Sequence, residues 1–162
     1  MFKVIVDTRE NPKFRWDFSI IEKCIGTEIR KLDTGEYSIE GLEDVLAIER
    51  KRSTGEIAMN IGIDKERFIA ELERMSKFKY KYLLLEFTME DVNNFPKKSG
   101  IPVWRWKGLR ITSKYMAKCL SSYKEKYGIE VIYCTSQEEA NDRAIQIIQM
   151  VYEEEVVKKQ NS

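Results

Sequence analysis

The chain contains no histidine. That absence removes every mechanism built on imidazole, including Ser-His-Asp and Cys-His catalysis, along with zinc sites that use histidine ligands. Chemistry is left to lysine, tyrosine, cysteine and the carboxylates. Cysteine is scarce too. Cys24, Cys119 and Cys134 are odd in number and far apart, so they build neither a disulfide framework nor a four-thiolate metal site within one chain. They read as free thiols buried in a reducing cytoplasm. No apolar run approaches the ~20 residues a membrane helix needs. The apolar stretch after Met1 is also far too short for a signal peptide. The expectation is a soluble intracellular protein with no membrane partner. A dominant charge is missing as well: 28 Lys plus Arg face 27 Asp plus Glu, a net +1. A balanced total names no partner, although it can hide segregated patches.

What is present suffices for one folded unit. A length of 162 residues with 43% hydrophobic and 34% charged side chains supports one domain with a real core. We read residues 1–157 as that domain and 158–162 as a disordered tail. Phe2 to Val6 reads as a strand, and Trp16 to Ile25 has helical spacing with Gly26 as its stop. Strands follow at Glu28 to Leu32, from Gly35, and at Asp44 to Lys51. Ser53 or Thr54 caps a helix that Gly62 interrupts, and Asp64 to Phe78 carries an apolar stripe of Phe68, Leu72 and Met75. Tyr82 to Phe87 is a buried strand. Thr112 to Lys126 is a helix ended by Gly128, Ile129 to Cys134 is a strand, and Ser136 caps a long last helix. Strands alternating with helices predict an α/β fold with a mixed central β-sheet flanked by helices.

Two apolar strands end in clustered charge: Val4-Ile5-Val6 runs into Asp7-Thr8-Arg9-Glu10, and Leu46-Ala47-Ile48 runs into Glu49-Arg50-Lys51. Sites in open α/β sheets form at the carboxyl ends of strands. A period of two puts Glu49 and Lys51 on one face of the strand and Arg50 on the other. A carboxylate and a lysine on one face suit metal-dependent phosphodiester hydrolysis. The carboxylate offers hard oxygen ligands to Mg²⁺ or Mn²⁺, and the lysine orients water or offsets charge on the phosphoryl oxygens. Glu36 is placed to supply a second carboxylate. Each triplet alone is common; their order at successive strand edges is the stronger signal.

Val6-Asp7-Thr8-Arg9-Glu10, Gly35-Glu36-Tyr37, Ile48-Glu49-Arg50-Lys51, Glu66-Arg67-Phe68 and Tyr82-Leu83-Leu84-Leu85-Glu86-Phe87 together resemble the nuclease domain of the XPF/Mus81 (ERCC4-type) structure-specific endonucleases. The resemblance implies a restriction-endonuclease-like core. It also implies Mg²⁺- or Mn²⁺-dependent cutting of branched DNA (flaps, forks or junctions), as used in DNA repair and recombination. Carried over, it places Asp7, Glu36 and Glu49 around the metal and Lys51 as the catalytic lysine, with Arg9, Glu10, Arg50 and Arg67 supporting the site. The sequence departs from the family pattern at three places: Glu36 replaces an aspartate, Gly55 stands where an aspartate is frequent, and Glu66-Arg67 replaces Gly-Arg. The expectation is that no helix-hairpin-helix domain follows, so the resemblance is to a stand-alone nuclease domain. A homodimer is compatible with it. The alternatives are a non-catalytic DNA-binding or partner-stabilising module, or a same-fold nuclease acting on four-way junctions or duplex DNA.

The balanced charge does hide a patch. Between Asp91 and Glu125 there is no acidic residue, whereas Lys97, Lys98, Arg105, Lys107, Arg110 and Lys114 lie there among Phe95, Trp104, Trp106 and Tyr115. Cations interleaved with aromatics suit a surface for DNA, branched or partly single-stranded. Trp104 and Trp106 are compatible with either stacking on bases or packing inward.

Overall fold

The computed structural model describes residues 1–162. Six strands form one mixed sheet: β1 (Phe2–Val6), β2 (Cys24–Ile29), β3 (Tyr37–Ile39), β4 (Leu46–Lys51), β5 (Tyr80–Leu85) and β6 (Glu130–Tyr133), in the order β2-β1-β3-β4-β5-β6. Only β3 runs against its neighbours; the β1–β2, β4–β5 and β5–β6 pairs are parallel. Two antiparallel steps separate β1 from β4, so both strands point the same way. The carboxyl ends of β1, β4 and β5 therefore share one sheet edge with the amino end of β3.

Strand parity sorts the side chains into two cores. Val4, Val6, Ile48 and Leu84 pack under α5 (Gln137–Tyr152), together with Trp16, Phe18 and Ile21 of the segment after β1. Ala47, Leu83 and Leu85 face the other layer, made by α1 (Thr54–Ile61), α2 (Lys65–Ser76) and α4 (Ser113–Tyr127). Short α3 (Met89–Asn93) begins the long connection to α4. Ser53, Thr112 and Ser136 each accept a backbone N–H three residues on, capping α1, α4 and α5. After α5, a π turn at Glu153–Val157 and α6 (Lys158–Gln160) continue the helical path into the segment read above as a tail. No helix is long and apolar enough to cross a membrane.

The helix expected over Trp16 to Ile25 does not form. Trp16, Phe18 and Ile21 are buried, whereas Ile20 and Ile25 are exposed. The backbone has better partners elsewhere. The Asp17 carboxylate accepts the N–H of Ser19, and the Asn141 amide brackets Asp17, accepting its N–H and donating to its carbonyl. Asp competing for nearby N–H groups is a known reason for its low helix propensity. The chain then enters β2 at Cys24, four residues before the expected strand.

Gly55 lies in the first turn of α1, where a Cβ would fall 2.3 Å from the Ser99 carbonyl oxygen. The loop around Ser99 crosses the helix there, and no larger residue fits. Alanine ordinarily exceeds glycine by about 1 kcal/mol in a helix. Here Gly55→Ala is expected to lower stability by about 1–3 kcal/mol, the cost of overpacking. Urea unfolding checks this, and a gain in midpoint would contradict the close packing of the Ser99 loop.

Candidate active site

Backbone bonds across the sheet edge draw the charged ends together. Asp7 donates its N–H to the Glu36 carbonyl, Glu36 donates to Ile48, and Glu86 donates to Lys51. Gly35, at φ +80°, turns the chain so closely over β4 that a Cβ would lie 3.2 Å from the Ile48 nitrogen. The turn delivers Glu36 beside β4, where its Oε2 accepts the Arg50 N–H at 3.0 Å.

Glu49 and Lys51 project toward the α1/α2/α4 layer as parity requires, and their side chains meet at 3.0 Å. The Lys51 ammonium also lies 5.3 Å from the centre of the Phe68 ring. Burial pushes the Glu49 carboxyl up to about 7; Lys51 opposes that shift, and the neighbouring Glu71 reinforces it. Burial likewise drives Glu36 well above the usual carboxylate range, with Glu49 and Glu10 adding repulsion. Burial alone would lower Lys51, but Glu49 and Glu36 outweigh it and keep the ammonium charged. Asp7 is different. Burial works to raise its pKa, yet Arg9 and the Leu32 N–H hold it below its ordinary value. One oxygen accepts from Arg9 Nε at 2.6 Å and from the Arg9 backbone, and the other from Leu32 N–H at 2.6 Å.

The four central residues thus share one sheet edge, while the supporting residues separate into different environments. Arg9 bridges Asp7 and the Leu32 carbonyl and remains largely exposed. Glu10 is buried; its Oε1 accepts the Asn11 N–H at 3.1 Å, while its Oε2 lies 3.5 Å from Arg50 without a hydrogen bond. Arg50 is 1% exposed and lies on the opposite face of β4. It grips Glu86 through Nε and Nη2 at 2.7–3.0 Å and stacks over Trp16, 4.7 Å from the ring centre. Arg67 is exposed and pairs only with Asp64, at 3.9 Å. It sits one helical turn before Glu71, on the same face of α2.

Three residues at the site were given no role from the sequence: Glu71, Arg74 and Glu86. Glu71 presses on Glu49 and accepts the Gly35 N–H at 3.2 Å. Arg74 ties Glu71 to the Thr34 hydroxyl, so α2 clamps the turn that carries Glu36. A position one turn after Arg67 was the available signal. Glu86 ends an apolar strand just as Asp7 and Glu49 do, and the same rule applied to β5 finds it.

The donor set is hard oxygen throughout, which suits Mg²⁺, Mn²⁺ or Ca²⁺ rather than a soft metal. Glu36 and Glu49 fit a cation: they are carboxylates crowded by burial and by each other, with Lys51 as the nearby positive charge. Asp7, as arranged here, is matched to Arg9. No three acidic side chains converge on one ligand point.

With no histidine in the chain, the buried carboxylates whose proton affinity folding raises are left to set the pH dependence of stability near neutrality. Folding raises the proton affinity of Glu36 and Glu49, so the folded state binds more protons than the unfolded one above about pH 4.5. Stability conferred by the protonated carboxylates is complete below that pH and is lost as pH rises, for Glu49 through about 7, with Glu36 acting in the same direction. The metal-free protein is therefore expected to melt at a lower temperature at pH 8 than at pH 5.5, and Glu49→Gln to flatten the profile. Asp7, shifted the other way, acts only in stronger acid. Melting curves in EDTA across this range check it; a rise with pH would contradict the crowding.

The basic segment is exposed. Lys97, Lys98, Arg105, Lys107, Arg110 and Lys114 all face solvent. Residues 103–108 form a 3₁₀ helix. Trp104 is therefore 76% exposed, with the Arg105 guanidinium 4.9 Å from its ring centre. Trp106 turns inward, and its Nε1 donates to the Ile101 carbonyl.

A family model described as the ERCC4 domain matches residues 6–143. No curated protein matches the chain. Among solved structures it is similar to XPF from Aeropyrum pernix, with a TM-score of 0.61 and 16% identity, covering 91% of this chain and 60% of that one. It is also similar to XPF from Aeropyrum pernix in complex with DNA, at a TM-score of 0.58 and 14% identity, covering 96% of this chain and 68% of that one. The chain thus spans about 60% of the length of the first of these.

Proposed function

This chain belongs to the ERCC4 domain family, and from that premise we propose that it is a metal-dependent DNA endonuclease acting on branched or partly single-stranded DNA. The observation that carries the reading is the buried Glu49–Lys51 pair at the carboxyl end of β4, with Glu36 beside it. Carboxylates confined in a dry strand end oppose folding unless a cation or a proton answers them. The DNA-bound relative and the unpaired basic segment from Lys97 to Lys114 support DNA as the partner.

Glu36 and Glu49 would hold the ion, and Asp7 would join them by exchanging its Arg9 bond for it. A bound Mg²⁺ or Mn²⁺ supplies positive charge to the phosphoryl oxygens and makes water more acidic. Lys51, held charged by its carboxylate neighbours, orients the attacking water or offsets charge on the phosphorane oxygens. Water attacks phosphorus in line, the P–O3′ bond breaks, and a 5′-phosphate and a 3′-hydroxyl result. Arg9 and Arg67, both exposed, would meet flanking phosphates. Arg50 supports the site from behind, through β4.

The second reading is a non-catalytic DNA-binding or partner-stabilising module, which the engagement of both Asp7 oxygens favours. Labelled flap, fork, four-way junction, duplex and single-stranded DNA incubated with Mg²⁺, Mn²⁺ or EDTA decide between them. Metal-dependent cutting, lost in Lys51→Ala, is the expected result, and the best substrate defines the specificity. Tight binding to DNA with no cutting under any metal would replace the enzyme with the module. Light scattering on the same sample tests the homodimer.

A further inference from the structure

A cavity of about 350 Å³ opens between α2 and α4 at the end of α1. It is at the lower end of the size range of small-ligand sites. One wall is apolar and aromatic: Phe68 and Tyr123 meet edge to face at 6.1 Å, and Tyr127 lies 6.1 Å from Tyr123. Tyr115 lines it at the surface. Lys65, Lys118 and Lys126 also line it, all exposed, and none takes part in an ion pair. No acidic side chain reaches it. Asn60 adds a buried amide oxygen with no hydrogen-bond partner.

We infer that this cavity receives an unpaired nucleotide of the DNA substrate, its base against the tyrosine rings and its phosphates on the three lysines. Three unpaired cations around an aromatic recess, with no anion, match a ligand that is flat, apolar in its faces and negatively charged at its edge. A base stacked on such rings is sequence-tolerant, because every base has a π-face. The Asn60 amide offers a polar partner for the base edge. The position relative to the chemistry is set by one side chain: Phe68 walls the cavity and also lies under the Lys51 ammonium. A strand whose backbone passes Lys51 therefore brings its next unpaired base to the far side of the Phe68 ring. The inference rests on the nuclease reading and gives it a source of preference for partly single-stranded DNA over blunt duplex, which has no free base to insert.

The test uses the full chain in EDTA, so that binding is read without cutting. Fluorescence anisotropy compares a duplex carrying a short single-stranded overhang, the same DNA with an abasic site moved stepwise along the overhang, and a blunt duplex. The expected result is one position at which losing the base weakens binding about tenfold, the scale of one stacked base. Tyr115→Ala and the Lys118→Ala/Lys126→Ala pair alter exposed side chains only. Each is expected to weaken overhang binding by a similar factor and to leave blunt duplex unchanged, or nearly so for the lysine pair. Equal binding of intact and abasic overhangs at every position overturns the inference, as does Tyr115→Ala with wild-type discrimination. So does a protein that is dimeric by light scattering and turned monomeric by Tyr115→Ala, since the cavity is then covered by a second copy. A wild-type protein that discriminates the abasic site but cuts nothing with Mg²⁺ or Mn²⁺ upholds the pocket and removes the nuclease. One that cuts but ignores the abasic site removes the pocket alone.

Discussion

Glu49→Gln is expected to abolish DNA cutting and, in metal-free solution above neutral pH, to raise stability. The two effects have one cause. Glu49 is nearly inaccessible to water, and burial pushes its carboxyl up to about 7 with Glu71 beside it. An ionised Glu49 at pH 8 is therefore less welcome in the folded protein than in the unfolded chain. Glutamine keeps the shape and removes the charge. The gain is expected to be about 1–3 kcal/mol, which for a domain of this size is a few degrees up to about 10 °C. On the activity side, removing a carboxylate that holds the ion and pairs with Lys51 removes several kcal/mol of transition-state stabilisation, about a thousandfold in rate. Added Mg²⁺ or Mn²⁺ is expected to raise the melting temperature of the wild type and to do so much less in Glu49→Gln. Thermal melts in EDTA and in metal, run beside the cleavage assay, measure both effects. A variant that is no more stable at pH 8 would contradict the crowding at this edge, and one that still cuts would remove Glu49 from the chemistry.

The readable part of this site was the part encoded within single strands. Val4-Ile5-Val6 and Leu46-Ala47-Ile48 announce buried strands, and their abrupt charged ends mark one edge of the sheet before any topology is known. Parity separated Lys51 from Arg50 correctly, because a side-chain period of two needs no tertiary information. The unread part depends on contacts between distant segments. Glu71 reaches the site only because α2 docks with Phe68, Leu72 and Met75 inward, which turns the next face toward Gly35. Nothing local announced that Asn141 would hold Asp17 out of a helix. Gly55 looked like a missing carboxylate; the Ser99 carbonyl 2.3 Å from where its Cβ would be makes it a packing requirement. The next residue, Glu56, instead turns its carboxylate back to accept the Arg52 N–H.

Arg50→Met is expected to cost more stability than any other single change at this edge; its neighbour Lys51 can be replaced at smaller cost in mildly acidic solution, where a proton neutralises the Glu49 carboxylate left behind. Arg50 is 1% exposed and stands among Glu86, Glu10, Trp16, the Tyr37 hydroxyl and the Phe14 carbonyl. Burial disfavours its charge, and the Glu86 fork outweighs that. Removing the guanidinium leaves Glu86 and Glu10, both at most 6% exposed, without a counterion. Breaking a buried pair from one side costs about 3–5 kcal/mol. Lys51→Ala takes away a charge that faces the site, so its effect falls on cutting. Two adjacent residues thus divide into a stability phenotype and an activity phenotype by the face of β4 each occupies. The double change Arg50→Met/Glu86→Met is expected to recover part of the loss, because it removes the stranded carboxylate together with its partner. Urea unfolding of the four proteins measures this as a coupling energy, with cleavage by Lys51→Ala as the control. If Arg50→Met unfolds at the wild-type midpoint, the guanidinium is not the centre that joins β4, β5 and the segment after β1, and its place in the site must be one that meets DNA.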